Sequence, residues 1–444
     1  MASTYLTRTF GSAGNRQSWT WSGWIKKTTV YNSTDSGDRE VWFGGYTASN
    51  NTEWLEFGTQ GDVFYFTTSG ISNTGNRSLR DTNGWFHAVV TYNGSNLKFY
   101  HNNELDFDNT ELSGDRGINI NGTHTIGAIA TNQSIRRFTG AMSHVHFIDG
   151  TIYTPSDFGE TDSTTGIWRP KTAPSVTYGT NGFFLKFESS GSMGTDSSGN
   201  GNNFTVSGNL TQTEDSPSNN FATMNPLDNY YTVGTFTNGN NTVQTSTSGK
   251  AWVMSTLGMS SGKYYFEAKY SASGGTNPGD TWNRIGISDH SATSNSDLGS
   301  ASYQYAIVET DGSKYVNGTN STYAASWSTG DIIGCAIDLD NNKIYWHKNG
   351  AWANGSGSWS SSTFDANTGD VSITAASSTA TGFYFVAMGD AGVNVNKTWN
   401  FNFGNGYFGT TAVSSAGTNA SNIGVFEYDV PTGFTALCTK GLNS

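Results

Sequence analysis

Charge and proline are scarce in this chain. Only 13% of its 444 residues are Asp, Glu, Lys or Arg, and only 7 are proline. Cations are fewest, 23 Lys and Arg against 35 Asp and Glu, and no basic run exceeds the pairs Lys26–Lys27 and Arg136–Arg137. A nucleic-acid binder needs a basic face to neutralise phosphates, so that class is excluded. The formal charge of −12 disfavours anionic membranes for the same reason. Cysteine is nearly absent. Cys335 and Cys438 stand far apart, which rules out a disulfide framework and leaves too few clustered ligands for zinc. The longest apolar run, residues 332–339, is far too short to span a bilayer. Residues 1–17 are polar throughout, so no signal peptide is expected.

Aromatics and glycine are what the chain has instead. It carries 14 Trp, 21 Tyr, 26 Phe and 55 Gly, with Ser, Thr and Asn supplying the polarity. So many large rings exclude a disordered chain, since each buries a large apolar area on folding. Helical periodicity is nearly absent. Alternating runs recur at 18–27, 62–68, 84–92, 96–102 and 142–150, and again at 262–271, 283–289, 303–310, 331–340, 343–350, 382–390 and 397–404. Asn-Gly, Ser-Gly and Asn-Asn turns punctuate them. The pattern predicts an all-β protein of antiparallel sandwiches. One single-turn helix is expected at 153–160, with Thr154 as N-cap and Pro155 at the first helical position. Residues 88–105 and 334–351 share one plan: apolar strand, Asn-rich turn, aromatic strand, second turn. That echo predicts two sandwiches of related architecture in tandem.

Several stretches resemble a family of phage virion proteins in which a laminin-G/concanavalin A-like domain precedes a SPRY domain. "YLTRTFGSAGNRQSWTWSGWIKK" (5–27), "LRDTNGWFHAVVTYNG" (79–94) and "HVHFIDGTIYTPSDFGETDSTTGIWRPK" (144–171) are similar to the first domain. "DSSGNGNNFT" (196–205), "NNFATMNPLD" (219–228) and "SSGKYYFEAKY" (260–270) resemble the junction and the start of the second. "GDIIGCAIDLDNNKIYWHKNG" (330–350), "VNKTWNFNFGN" (395–405) and "YDVPTGFTALCTKGL" (428–442) resemble its core hairpin, last strand and tail. The resemblance implies two tandem antiparallel β-sandwiches: a laminin-G/concanavalin-like jelly roll over 1–210, with 190–218 as a partly stranded junction, and a SPRY-like sandwich over 219–409. Residues 410–444 form a tail that packs on or extends the second domain. Fold carries over from such a likeness more securely than function. The function it implies is a virion structural protein of tail fibre or capsid surface, located on the particle. Its partners would be neighbouring virion proteins, further copies of itself and host-surface polysaccharide, with no nucleic acid and no membrane insertion. Because the chain opens almost at the first strand, a short fibre tip, knob or capsid decoration is expected rather than a long shaft.

Concanavalin-like sandwiches also host glycan-cleaving enzymes, which need carboxylates facing one cleft. Glu53 and Glu56 are three apart and would point to opposite faces of a strand, so catalysis is not expected. His144 and His146 alternate on one strand face without a third ligand, and read as a strand-surface pair. Asp338, Asp340 and Asn342 imitate a calcium loop, but the sixth and twelfth positions hold Lys343 and Asn349 instead of Gly and Glu. A hairpin turn is expected there, with Ile344 and Trp346 facing the core. Asp196 and Asn200 in a Gly-rich turn are weak candidates for a structural calcium; no other cofactor is implied. Glycan or partner contact is assigned to aromatics and amides in loops: Trp282, Asn283, Tyr303, Tyr305, Trp327, Trp352 and Trp359 in the second block, with Tyr46, Asn51 and Trp54 in the first. The alternatives to a non-enzymatic virion protein are a concanavalin-like glycan-cleaving enzyme and a cellular lectin or adhesin.

Overall fold

The computed structural model describes residues 4–30, 36–47, 53–228, 234–246, 250–275, 282–390 and 395–443. The chain divides into two compact units. The first comprises Met1–Gln212 with Ser216–Ser218, the second Thr213–Asp215 with Asn219–Ser444.

The first unit is a sandwich of two antiparallel sheets. One has seven strands in the spatial order Thr205–Ser207, Tyr5–Thr9, Thr123–Ile126, Arg39–Tyr46, Trp54–Gln60, Val63–Thr68 and Ile71–Thr74. The other has six, ordered Phe183–Leu185, Gly140–Asp149, Trp19–Lys27, Trp85–Tyr92, Leu97–His101 and Glu104–Asn109. Alternation along Trp19–Lys27 sends Trp19, Trp21 and Ile25 inward. A bulge between Val41 and Phe43 breaks the alternation and turns both Trp42 and Phe43 into the core. The rings then pack across the sandwich, Phe64 stacking on Phe99 at 4.2 Å and Trp21 meeting Phe57 edge-on at 5.4 Å. Beyond burial, such pairs contribute about 0.5–1.5 kcal/mol each. The expected helical turn is present at Pro155–Phe158, where the Asp157 carboxylate accepts the Thr154 backbone N–H at 2.7 Å.

The second unit is also built on two large sheets, with a two-stranded ribbon, Tyr407–Phe408 and Thr411–Ala412, beside them. Its larger one runs Thr235–Thr237, Thr242–Gln244, Val395–Asn402, Lys263–Gly275, Ile332–Asp338, Lys343–Lys348, Ala351–Ala353 and Trp359–Ser361, with Val371–Ser372 and Thr435–Ala436 added at the side. The smaller runs Ala251–Met259, Tyr384–Asp390, Asn283–Ser288, Gln304–Val308, Lys314–Val316 and Thr319–Ser321. In the hairpin joining Ile332–Asp338 to Lys343–Lys348, Ile337 faces Ile344 and Asp338 faces Lys343. Asn342 takes the left-handed backbone at φ +55° that closes the turn. Asp338 accepts from Asn341 N at 3.0 Å and from the Lys263 ammonium at 2.8 Å, while Asp340 accepts from Gly262 N at 2.8 Å. The acids that imitate a calcium loop thus brace the hairpin. Ile344 and Trp346 are core. The opposite face is buried as well, because Phe426, Val430 and Phe434 of the tail pack on Tyr265 and Tyr345.

Candidate functional site

Within strand Lys263–Gly275, Tyr264, Phe266 and Ala268 point into the sandwich, so Tyr265 and Glu267 point outward, beneath the tail. The Glu267 carboxylate accepts two successive tail amides, Glu427 N at 2.9 Å and Tyr428 N at 2.8 Å, and the Tyr265 hydroxyl at 2.9 Å. Tyr265 Oη lies 2.6 Å from His347 Nε2, and His347 Nδ1 accepts Gly350 N at 3.1 Å. Because Nδ1 accepts, the ring proton sits on Nε2; His347 therefore donates to Tyr265, which donates to Glu267. Glu267, Tyr265 and His347 have no exposed surface. Burial pushes the Glu267 carboxyl up to about 7 and holds His347 down at about 3. The chain of donors clamps the tail and offers nothing to a ligand.

That clamp corrects part of the loop assignment. Trp352 is 7% exposed and lies against His347 and Phe364 beneath the tail. Trp327 and Tyr305 belong to the core; the Tyr305 hydroxyl donates to Thr374 Oγ1 at 3.1 Å. Asn283 is fully buried, donating to Glu309 at 2.6 Å and accepting from the Trp399 indole at 3.3 Å. These four side chains cannot meet a ligand from solvent. Asn283, Tyr305 and Trp352 lie in strands, and Trp327 lies in the segment before Ile332–Asp338 with its ring packed into the core. Trp359 is half-buried, its indole donating to Ala325 O at 2.7 Å, and Tyr303 is half-buried at φ +61°. Trp282 stays 44% exposed beside strand Asn283–Ser288. In the first unit Tyr46 and Trp54 are directly opposed across neighbouring strands and partly exposed. Asn51 lies outside the described residues.

The polar candidates are likewise engaged. Asp196 accepts four donors, each at 2.8 Å, from Phe184 N, Ser198 N, Ser198 Oγ and Asn202 N. The Asn200 amide donates to the carbonyls of Gly179 at 2.6 Å and Gly182 at 2.9 Å. Those contacts knot the turn, and a carboxylate filled by N–H and O–H donors presents no free oxygens to calcium. Glu56 is buried, paired with Arg136 and bonded by Tyr65 at 3.2 Å; Glu53 holds Thr47 at 2.6 Å. His144 and His146 do not form a surface pair. A bulge separates them, and His146 is buried, stacked on Phe184 at 3.9 Å and bonded to Tyr178 at 2.9 Å.

Sequence reading missed a Ser–His contact, because Ser22 and His87 sit on separate strands with no local motif. Ser22 Oγ lies 2.7 Å from His87 Nε2, both fully buried. The Trp168 indole donates to His87 Nδ1 at 3.2 Å, so Nε2 bears the proton and donates to Ser22. The imidazole therefore cannot take the serine proton, and the serine is not a nucleophile.

Residues 2–155 match the Concanavalin A-like lectin/glucanases superfamily, and residues 263–370 match the SPRY domain. The chain thus carries a laminin-G/concanavalin-like domain followed by a SPRY domain, both of them β-sandwiches. Ran-binding protein 9 of Danio rerio is 34% identical over 90 residues, spanning 20% of this chain and 14% of that protein. Human Ran-binding protein 9 is also 34% identical over 90 residues, 20% of this chain and 12% of the relative. The chain therefore spans a small fraction of the curated relatives it matches. Among solved structures, the SPRY domain of human HERC1 is 18% identical, covering 40% of this chain and 96% of that one with a TM-score of 0.30.

Proposed function

We propose that this chain is a non-enzymatic phage virion protein of the particle surface, a short fibre tip, knob or capsid decoration. It would act by binding neighbouring virion proteins or host-surface glycan. The observation that carries the non-enzymatic part is the engagement of every candidate catalytic group. Glu56 and Glu267 are filled by cations and donors, and His87 donates to the serine it touches. The order of the two domains and the uncharged Gly, Ser and Asn turns support the particle-surface part. Mass spectrometry of purified particles should find the chain at fixed copy number, and incubation with host polysaccharide should release no oligosaccharide. Absence from the particles would sink the virion assignment; product formation would sink the non-enzymatic one.

A second reading is a cellular SPRY protein that recognises a protein segment. It rests on the 34% identity to Ran-binding protein 9 over 90 residues, on the SPRY match at 263–370 and on the exposed Trp282.

A further inference from the structure

The sequence assigned ligand contact to aromatic loops, and three of those eight rings, Tyr305, Trp327 and Trp352, are buried. A different part of the first unit is open. Two walls, residues 190–195 and 203–210, enclose a surface cleft of about 590 Å³. That volume falls within the range of small-ligand sites.

The cleft has a firm base. Asp196, held by its four donors, fixes the turn below it, and Asn203 Oδ1 accepts Asp196 N at 2.8 Å. Phe204 N donates to Gly194 O at 2.8 Å and ties one wall to the other. A Cβ on Gly194 would stand 1.9 Å from Phe204 O, so only glycine allows this approach. At the mouth, a Cβ on Gly191 would meet nothing within 4 Å.

Its chemistry is neutral. Ser190, Ser192, Thr195, Asn203 and Asn209 supply hydroxyls and amides, and among the described residues no Asp, Glu, Lys or Arg lines the space; the neighbouring Arg8 guanidinium donates to Asn203 O at 2.8 Å. The bond from Asp196 N fixes the orientation of the Asn203 amide, whose Nδ2 group is left for a ligand. Met193, Phe204, Val206 and Leu210 give the cleft apolar surface, and Val206 is 37% exposed. Among the described residues, strand Thr205–Ser207 is the edge of its sheet, paired with Tyr5–Thr9 alone, so its outer side adds open backbone donors and acceptors. Hydroxyls, amides and backbone groups around apolar patches, without charge, match a ligand that alternates hydroxyls with C–H faces.

We propose that this cleft is a subsite for a neutral oligosaccharide. The inference rests on the glycan-contact part of the proposed function and gives it a place in the first unit. An extended peptide adding to the edge strand is the rival occupant, but a three-residue edge offers it few ladder bonds.

The test is calorimetric and saturation-transfer titration of the full chain with malto-, cello- and chitohexaose. At least one hexasaccharide should bind. Gly191→Trp, which fills the mouth, should weaken it at least tenfold with unchanged Tm, and Leu227→Ala, at an exposed side chain of the second unit, should leave it unaltered. Val206→Asp, on the exposed edge, repeats the test should the tryptophan disturb folding. Hexasaccharide binding indifferent to both cleft variants would remove this site while leaving glycan contact elsewhere on the chain. No binding by the wild-type chain overturns the inference, whereas the virion reading stands or falls on the particle analysis. Capture of an extended Thr-Val octapeptide, lost in Gly191→Trp, would overturn the assignment in favour of strand addition.

Discussion

Gly334 shows how much one residue controls. It lies in the apolar strand Ile332–Asp338 and faces His347 across the ladder. A Cβ there would stand 1.8 Å from His347 Nε2. The imidazole cannot retreat, since Gly350 N and Tyr265 Oη hold it at both nitrogens. Gly334→Ala should therefore destabilise the second unit by about 3 kcal/mol, the upper range of overpacking in a tight core. Urea unfolding measures this; a loss under 1 kcal/mol would show that the ring moves aside. Within "GCAIDLDNNKIYWHKNG", alternation alone placed Ile344 and Trp346 correctly. It could not show why the strand has a glycine, because the reason is the ring of His347 in the partner strand, opposite it across the ladder. The same blindness hid Glu267, whose donors come from the tail.

At the scale of elements, the strands were legible and their exposed ends were not. Period-two patterning needs only local sequence, and the helical turn at Pro155 needs only its cap and proline. Whether a ring at a strand end is a lid or a ligand contact depends on what covers it. For Trp352 the cover is Phe364 and the tail, which resides some eighty residues later. The tail binds as an element: Phe426, Val430 and Phe434 seat on Tyr265 and Tyr345, and Thr435–Ala436 adds a parallel strand beside Tyr264–Tyr265. Phe434→Ala should cost the second unit about 3 kcal/mol through lost burial and the cavity left behind. Hydrogen exchange should quicken at Thr435 and Ala436 while the first unit's amides stay unchanged. Equal protection in the variant would mean that the Glu267 clamp, and not the rings, holds the tail.

Across the whole molecule, buried titratable groups predict that the two units answer acid differently. Burial holds His87 at about 3, and His101 and His124 at about 4, and it also lowers His144 and His146. A histidine whose folded value is depressed contributes stability above the unfolded value near 6.5 and loses it as pH falls. Glu40, Glu56 and Asp106 of the same unit are raised, chiefly by burial, and act in the opposite sense. The histidines outnumber them, so the first unit should weaken below pH 6.5, by about 1.4 kcal/mol per pH unit for each uncompensated ring. In the second unit His347, at about 3, is opposed by Glu267, raised to about 7, and by Asp228, also raised by burial. Stability from Glu267 is present below 4.5 and lost as pH rises through 7, so the two effects offset between 4.5 and 6.5. Calorimetry from pH 7 to 4.5 should show one transition falling and the other nearly still. Parallel shifts of both would contradict this account.

The second unit is also sewn shut at its two ends. Phe221 bridges to Cys438, Ala222 N donates to Leu437 O at 2.9 Å and Thr439 N donates to Asn220 O at 2.9 Å. A module whose first and last segments lie side by side enters and leaves at one point. It can be spliced into a surface loop of an unrelated host, or cut open elsewhere and rejoined here, without stretching either chain. By the same closure, a ribosome must deliver residue 439 before the segment at 220 finds its partner, so this seam is the last part of the unit that synthesis can complete.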